Sequence, residues 1–220
     1  MDAIEVGKRA AAEAAALLVE DGMVLGLGTG STIAYFLPLV AARGLRLRCV
    51  ATSPATEGTA RSLGLSVEPF DGLERIDLAV DGADQVSPDL WLVKGGGGAH
   101  TREKIVAAAA GRFVVIVSAN KVVEELRSPV PLELMPFGLA ATLRRIASLG
   151  PVRRRDAALT PDGNVLADFV GQVGNPEELA AAVQAIPGVV GHGLFPPSIV
   201  TEVLIGGEAG GIERRTRQGP

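Results

Sequence analysis

The segment from Leu92 to Val106, LVKGGGGAHTREKIV, sets a lysine, four consecutive glycines and an Arg-Glu-Lys triplet between a strand-like run and a helix-like one. Glycine inside regular structure costs roughly 0.5–1 kcal/mol relative to alanine, so a run of four serves a conformation or a contact that side chains would obstruct. Lys94 ends the apolar run, and Gly95, Gly96 and Gly97 let the backbone approach a ligand closely. Glu103 falls in the first turn of the following helix, where the dipole favours a carboxylate and lowers its pKa unless burial opposes it. An ionised base is one role for Glu103; half of a capping box is the other. Arg102 and Lys104 read as solvated or structural.

Two further segments carry groups that could act with it. In DLAVDGADQV, Asp81 and Asp84 flank Gly82 and Ala83 at the end of an apolar strand, which is where open α/β sheets place ligands. Paired carboxylates can accept hydrogen bonds from sugar hydroxyls, shuttle protons or hold a divalent ion, although Asp-Gly is also ordinary turn chemistry. In GLGTGSTIAYFL a strand passes through Gly26, Gly28, Thr29, Gly30, Ser31 and Thr32 into a helix, whose N-terminus favours an anion such as phosphate. Tight strand–helix packing would explain the same glycines. The dinucleotide reading is weak, because Ser31 stands where the third glycine of G-x-G-x-x-G belongs and Thr52 and Ser53 replace the ribose-binding acid. A Walker lysine is absent too. His100 and His192 are spaced neither for a metal site nor for a nucleophile motif. A phosphate cradle, two aspartates, a lysine and a glutamate suffice to move a proton between adjacent sugar carbons. A base takes the proton next to a carbonyl, positive charge or hydrogen bonds hold the enediolate oxygen, and the phosphate grip positions the substrate. That chemistry requires neither redox cofactor nor metal.

These groups need rigid elements behind them. Alanines and leucines recur at helical spacing over residues 3–20 up to Gly22, followed by a strand in MVLGLG, a helix from Ile33 to Ala42 and a strand in LRLRCVAT. The alternation continues with a helix over 55–63, strands at 65–69, 76–80 and 91–93, a helix after Thr101, and a strand in RFVVIVSA. Short apolar runs alternating with helices predict an α/β fold: a Rossmann-like, mostly parallel sheet covered by helices. From Ser128 the texture changes. SPVPLELMPF carries three prolines, and two strand–helix–strand units follow, with helices over 139–148 and 176–185. That predicts a smaller α+β domain of split-βαβ, ferredoxin-like type. VTEVLIG then returns to the first sheet. The expected organisation is a catalytic domain over 1–127 with 199–207, a small domain over 128–198, and a Gly-rich, charged tail over 208–220 that is poorly ordered.

Composition narrows the class. The 220 residues carry a net charge of −4 with acids and bases interspersed, which leaves no electrostatic footprint for nucleic acid or an anionic membrane. The single cysteine, Cys49, excludes an intrachain disulfide framework or a cysteine-cluster metal site and suits a reducing compartment. No secretory signal pattern and no run of 18 apolar residues is present, so the expected location is the cytoplasm.

Taken in order along nearly the whole chain, GLGTGST, DLAVDGADQV, LVKGGGGAHTREKI, VVIVSANK, PVPLELMPF, LTPDGNVLADF and AIPGVVGHGLF resemble the type A ribose-5-phosphate isomerases. The resemblance implies interconversion of D-ribose 5-phosphate and D-ribulose 5-phosphate in the non-oxidative pentose phosphate pathway, without cofactor or metal, by a homodimer or homotetramer whose partner is a small-molecule sugar phosphate. It implies Glu103 as the base between C1 and C2, with Asp81 and Lys94 as further catalytic groups. Thr29, Gly30, Ser31 and Thr32 match the first substrate loop, Asp81, Gly82, Ala83 and Asp84 the second, and Lys94, Gly95, Gly96 and Gly97 the third. Lys121 of SANK matches another substrate-binding position, and Lys8 a basic residue near the phosphate. Departures from the family pattern occur at His100, in MPFGLAATLRRI and in TSPATEGTAR. Related folds also host sugar-phosphate deaminases and coenzyme A transferases, which would release ammonia or form a glutamyl thioester, and sensor modules that bind without turnover. Against the last, no helix-turn-helix precedes the first strand.

Overall fold

The structure, a computed structural model, describes residues 2–73 and 75–217. In chain order the first half contains α1 (Ala3–Ala16), β1 (Val24–Leu27), α2 (Ile33–Ala42), β2 (Arg48–Ala51), α3 (Pro54–Ser62), β3 (Ile76–Asp81), β4 (Gln85–Val86), β5 (Leu92–Val93), α4 (His100–Ala109) and β6 (Ala110–Ser118). The second half adds β7 (Val130–Leu134), α5 (Leu139–Ala147), β8 (Val152–Arg154), β9 (Val165–Phe169), α6 (Pro176–Gln184), β10 (Val189–His192), β11 (Leu194–Phe195), β12 (Glu202–Gly206) and β13 (Ile212–Thr216). They form two compact units, one of Met1–Ala83, Arg102–Val122 and Pro197–Pro220, the other of Asp84–Thr101 and Val123–Pro196.

The first unit is built on a six-stranded sheet of order β13-β12-β6-β3-β1-β2, in which every neighbouring pair is parallel except β12 with β13. The apolar runs of β1, β3, β6 and β12 supply Leu25, Leu78, Val80, Ile116 and Leu204, which pack with Ala11, Ala15, Phe36 and Val40 of α1 and α2. Burial on both sheet faces is why these strands read as continuous apolar runs instead of alternating ones. At Gly7 a Cβ would stand 2.5 Å from the Gly206 carbonyl oxygen, so α1 lies directly against the backbone of β12.

The second unit carries a four-stranded antiparallel sheet of order β10-β7-β9-β8, with β7 and β8 separated by β9. That is the predicted split-βαβ, ferredoxin-like arrangement. Val130, Leu132, Ala167 and Phe169 on one face of the sheet pack with Ile146 of α5 and Val183 of α6. A second, three-stranded sheet, β11-β5-β4, belongs to the same unit. Residues 84–101, assigned to the first domain by the sequence pattern, therefore cluster with the second unit, because β4 pairs with β5 and β5 in turn pairs with β11.

Three local expectations are corrected. The first helix stops at Ala16, not near residue 20: the Leu18 N–H turns to the Ala15 carbonyl, and the Arg43 guanidinium takes the carbonyls of Ala16 and Val19 that a longer helix would use. The strand expected at 65–69 reduces to a single parallel bridge, Cys49 to Val67. The tail expected to be poorly ordered instead forms β13. A turn closed by Gly210 N–H to the Gly207 carbonyl (3.0 Å), with Gly210 at φ +84°, folds it back along β12. Glu202, buried in β12, pairs with Arg214 of β13 at 3.3 Å and with Arg112 of β6 at 2.8 Å, so one of the charges that suggested disorder, Arg214, is the partner of a buried carboxylate. Residues 218–220, also within that expectation, lie outside the described residues. Among the described residues no helix is long and apolar enough to cross a membrane.

Candidate active site

The first unit gathers its reactive groups at the carboxyl ends of its parallel strands. β1 runs into the glycine loop, and the backbone N–H of Thr29 donates to Asp81 Oδ1 at 3.0 Å while the N–H of Gly82 donates to the same oxygen at 2.7 Å. Asp81 ends β3 and is buried. A Cβ on Gly28 would overlap its carboxyl group, so glycine is required there for a reason of space. Gly30 needs glycine for a reason of conformation, with φ +120° and no atom near an added Cβ. Thr32 then stands as the residue preceding α2, with Ser31 exposed and Thr32 buried.

Thr29 is held from the other side by hydroxyls. Its Oγ1 lies 2.9 Å from Thr52 Oγ1, 2.9 Å from Ser53 Oγ and 3.2 Å from Thr56 Oγ1, and Thr56 Oγ1 donates to the Gly28 carbonyl at 2.9 Å. Ser53 also caps α3 by accepting from the Thr56 N–H. Thr52 and Ser53, which stand where a ribose-binding acid is missing and open TSPATEGTAR, thus anchor the glycine loop after β1. A Ser-Pro pair opening a helix was the available signal.

Glu103 sits in the first turn of α4 and is 5% exposed. One turn further along, Val106 lies against β1: a Cβ on Gly26 would approach Val106 Cγ1 to 2.6 Å. Residues three apart share a helix face, so Glu103 is on the sheet-facing side of α4, at the end where β1 and β3 terminate. The capping-box alternative finds no support in the local sequence, because neither Ala99 nor His100 is the Ser or Thr such a box needs. Lys104, half-buried, has its pKa pushed down by burial to about 7.

Two more lysines lie at this end of the sheet. Lys8 follows Gly7, whose added Cβ would come within 3.3 Å of Ser118 Cβ at the end of β6. Its ammonium pairs with Glu5 at 2.8 Å, and Glu5 also accepts a short hydrogen bond from the Tyr35 hydroxyl. Lys8 first, then Tyr35, hold the Glu5 carboxyl below its usual range. Lys121 ends a single helical turn directly after β6, next to Asn120, which accepts from Ser118 Oγ at 2.6 Å.

The second unit holds the other glycine loop. The Lys94 N–H donates to the Gly193 carbonyl at 2.8 Å, and its ammonium lies 5.4 Å from the centroid of the Phe195 ring in neighbouring β11, with the residue 2% exposed. Gly95 (φ +104°) and Gly98 (φ +79°) take left-handed conformations. A Cβ on Gly95 would collide with the buried His100 ring at 2.6 Å, which gives that histidine a packing role. Asp84 accepts the Gly96 N–H at 2.8 Å, so it is a loop anchor, while Gly96 and Gly97 are exposed. Arg155, absent from the sequence-derived set, donates to the carbonyls of both Gly95 and Gly96 at 3.1 Å. Its partner Asp168 lies on β9, and the sixty residues between Gly95 and Arg155 hide the loop contact from the sequence. His192 accepts the Leu194 N–H at 3.2 Å. Among the described residues no three His, Cys, Asp or Glu side chains are grouped to hold a metal ion.

Of the expected site residues, Thr29, Asp81 and Gly82 are joined by hydrogen bonds in the first unit, and Asp84 and Gly96 in the second. Gly30, Ser31, Thr32, Ala83, Glu103, Lys8 and Lys121 belong to the first unit, and Lys94, Gly95 and Gly97 to the second.

Comparison with known proteins follows the same lines. Residues 48–210 match the family model of ribose 5-phosphate isomerase A (phosphoriboisomerase A). The chain is 50% identical over 202 residues to the ribose-5-phosphate isomerase A of Roseiflexus castenholzii, covering 86% of each. It superposes on ribose 5-phosphate isomerase A from Methanocaldococcus jannaschii with a TM-score of 0.90 at 34% identity, covering 95% of this chain and 97% of that one. A D-ribose-5-phosphate isomerase solved in complex with phospho-erythronic acid gives 0.91 at 34% identity, with coverage of 97% and 99%. With the fold, the glycine loops and these likenesses in agreement, the chain belongs to the ribose 5-phosphate isomerase A family.

Proposed function

We propose that this protein interconverts D-ribose 5-phosphate and D-ribulose 5-phosphate through an enediolate, as a step of the non-oxidative pentose phosphate pathway. Family membership carries the reading, and the placement of Glu103 gives it a mechanism. The helix dipole at the first turn favours negative charge on Glu103, and its burial keeps water from competing for the proton it handles. Glu103 takes the C2 proton of the open-chain aldose and returns it to C1, while the proton of the C2 hydroxyl passes to O1, leaving a C1 hydroxyl and a C2 carbonyl. Lys94 steadies the oxyanion that forms as the C1 carbonyl becomes an enediolate. Asp81, fixed through Oδ1 by two backbone amides, meets the sugar hydroxyls. Gly30, Ser31 and Thr32 at the start of α2, with Lys8 and Lys121, hold the phosphate, while Gly82, Ala83, Asp84 and the Gly95–Gly97 loop complete the sugar contacts. The relative solved with phospho-erythronic acid supports an enediolate route, since a carboxylate on a phosphorylated carbon chain has the charge and planarity of that intermediate.

The reaction moves hydrogen within one molecule and balances without an electron acceptor. Accordingly, ketose should form from ribose 5-phosphate in the presence of chelator. The single cysteine supports a reducing compartment, the cytoplasm, and the family resemblance supports a homodimer or homotetramer. The deciding variant is Glu103→Gln, which keeps size and shape but cannot accept a proton. It should fold and bind substrate, lose about 10²- to 10⁴-fold in kcat, and stop exchanging substrate hydrogen with deuterated solvent. Exchange at the wild-type rate would move the base elsewhere, with Asp81 the next candidate.

A further inference from the structure

Arg155 extends β8 by one residue, its N–H bonded to the Leu166 carbonyl at 2.9 Å, and turns its side chain onto the glycine loop. Four of its five N–H donors have partners. Nε lies 3.1 and 3.0 Å from the two oxygens of Asp168, Nη2 lies 2.7 Å from Oδ1, and Nη1 lies 3.1 Å from the carbonyls of both Gly95 and Gly96. The side chains are 18% and 8% exposed, so the pair is largely shielded from water. Asp168 offsets the guanidinium charge, and the fork geometry is what remains for the loop.

That geometry fixes two peptide planes. In a trans peptide the C=O and N–H point in opposite directions. The Gly95–Gly96 peptide gives its carbonyl to Arg155 and its N–H to Asp84. The Gly96–Gly97 peptide gives its carbonyl to Arg155 as well, so the Gly97 N–H is aimed away from the arginine, on the exposed side of the loop. Leu166, two residues before Asp168 on β9, backs the same loop: a Cβ on Gly98 would meet its Cδ1 at 2.6 Å.

We propose that Arg155, braced by Asp168, is a positioning residue for the isomerase reaction: it sets the orientation of the loop that presents Lys94 and the Gly97 N–H to the substrate. This rests on the proposal that the loop binds substrate. Lysine at 155 keeps an ion pair with Asp168, but its compact ammonium cannot fork to a carboxylate and bridge two carbonyls at once.

The test is a cycle of Arg155→Lys and Lys94→Ala, with melting temperatures and kcat and KM for ribose 5-phosphate measured on the full chain. Arg155→Lys alone should lower kcat/KM by about 10- to 100-fold through loop misplacement, with little change in melting. In the Lys94→Ala background the same change should cost less than about threefold, because residues acting as a unit are not additive. Wild-type kinetics for Arg155→Lys, or a full multiplicative loss in the double variant, would overturn the proposal. If Arg155→Lys melts early, the uncharged pair Arg155→Gln with Asp168→Asn replaces it: reduced kcat/KM in a folded protein supports the clamp, and wild-type kcat/KM overturns it. Full activity of Lys94→Ala would instead withdraw the loop from the substrate site, and the clamp's catalytic role with it.

Discussion

Gly28→Ala is the smallest change that reaches the Asp81 carboxylate. The added methyl would lie more than 1 Å short of the 3.4 Å at which ordinary contact begins, directly over the carboxyl carbon. Asp81 cannot swing aside freely, since it is buried and tied to the amides of Thr29 and Gly82 at 3.0 and 2.7 Å. Either those bonds break or β1 and β3 separate. Overpacking of this kind costs about 1–3 kcal/mol. For a chain of this length about 2 kcal/mol corresponds to a melting temperature roughly 4–8 °C lower. If Asp81 meets the sugar as proposed, a displacement near 1 Å there costs on the order of 10²-fold in rate, so kcat should fall much further than stability alone explains. Scanning fluorimetry and a coupled ribulose 5-phosphate assay give both numbers. Gly58→Ala is the control: Gly58 lies within α3 with nothing within 4 Å of an added Cβ, and alanine there should raise stability by about 0.5–1 kcal/mol and leave activity intact. If Gly28→Ala melted and turned over like the wild type, the crowding argument for Gly28 would be refuted.

Two other outcomes follow from buried titratable groups. Cys49 is fully buried in β2 and burial pushes its thiol up to about 11, so the native protein should react with a thiol reagent at pH 8 only as fast as it unfolds; rapid labelling in buffer would contradict the burial. Lys104, held down to about 7 by burial against 10.5 for an ordinary lysine, takes up a proton on unfolding anywhere between those values. Its contribution to stability therefore rises with pH through that window and is flat below it. Urea midpoints of wild type and Lys104→Met should differ most near pH 6.5, favouring the variant, and converge toward pH 10; a pH-independent difference would refute the shift.

What the sequence reveals here is whatever is encoded locally. The β3 run IDLAVD and the glycine loop after β1 announce their strands and the loops at their carboxyl ends through contiguous residues, and Glu103 announces its helix position in the same way. The tail reads as disordered because Arg214 looks solvated in the sequence, whereas Glu202, buried on the neighbouring strand, faces it in the fold. The two-residue strand β4 leaves no periodic trace, and its pairing with β5 emerges only in the fold. Arg155 was missed for the same cause: in PVRRR three arginines stand together, and only the tertiary structure singles out the one with a buried carboxylate and two loop carbonyls in reach. Sequence patterns report which face of an element is apolar, whereas long-range polar partners depend on packing that no short window contains.

The contact between Gly7 and Gly206 joins the first helix to a strand nearly two hundred positions later, and it has a consequence for the order in which the molecule can be assembled. β12 fills the place beside β6, so until it arrives the run from Val114 to Ser118 is an open sheet edge of almost wholly apolar residues. During synthesis the contiguous stretch from Val123 to Pro196 emerges in full while the first unit still waits for its penultimate strand. The first unit is thus expected to close last, with Gly206 docking against an α1 that left the ribosome long before, and a chain halted short of Glu202 is expected to present that sticky edge to its neighbours instead.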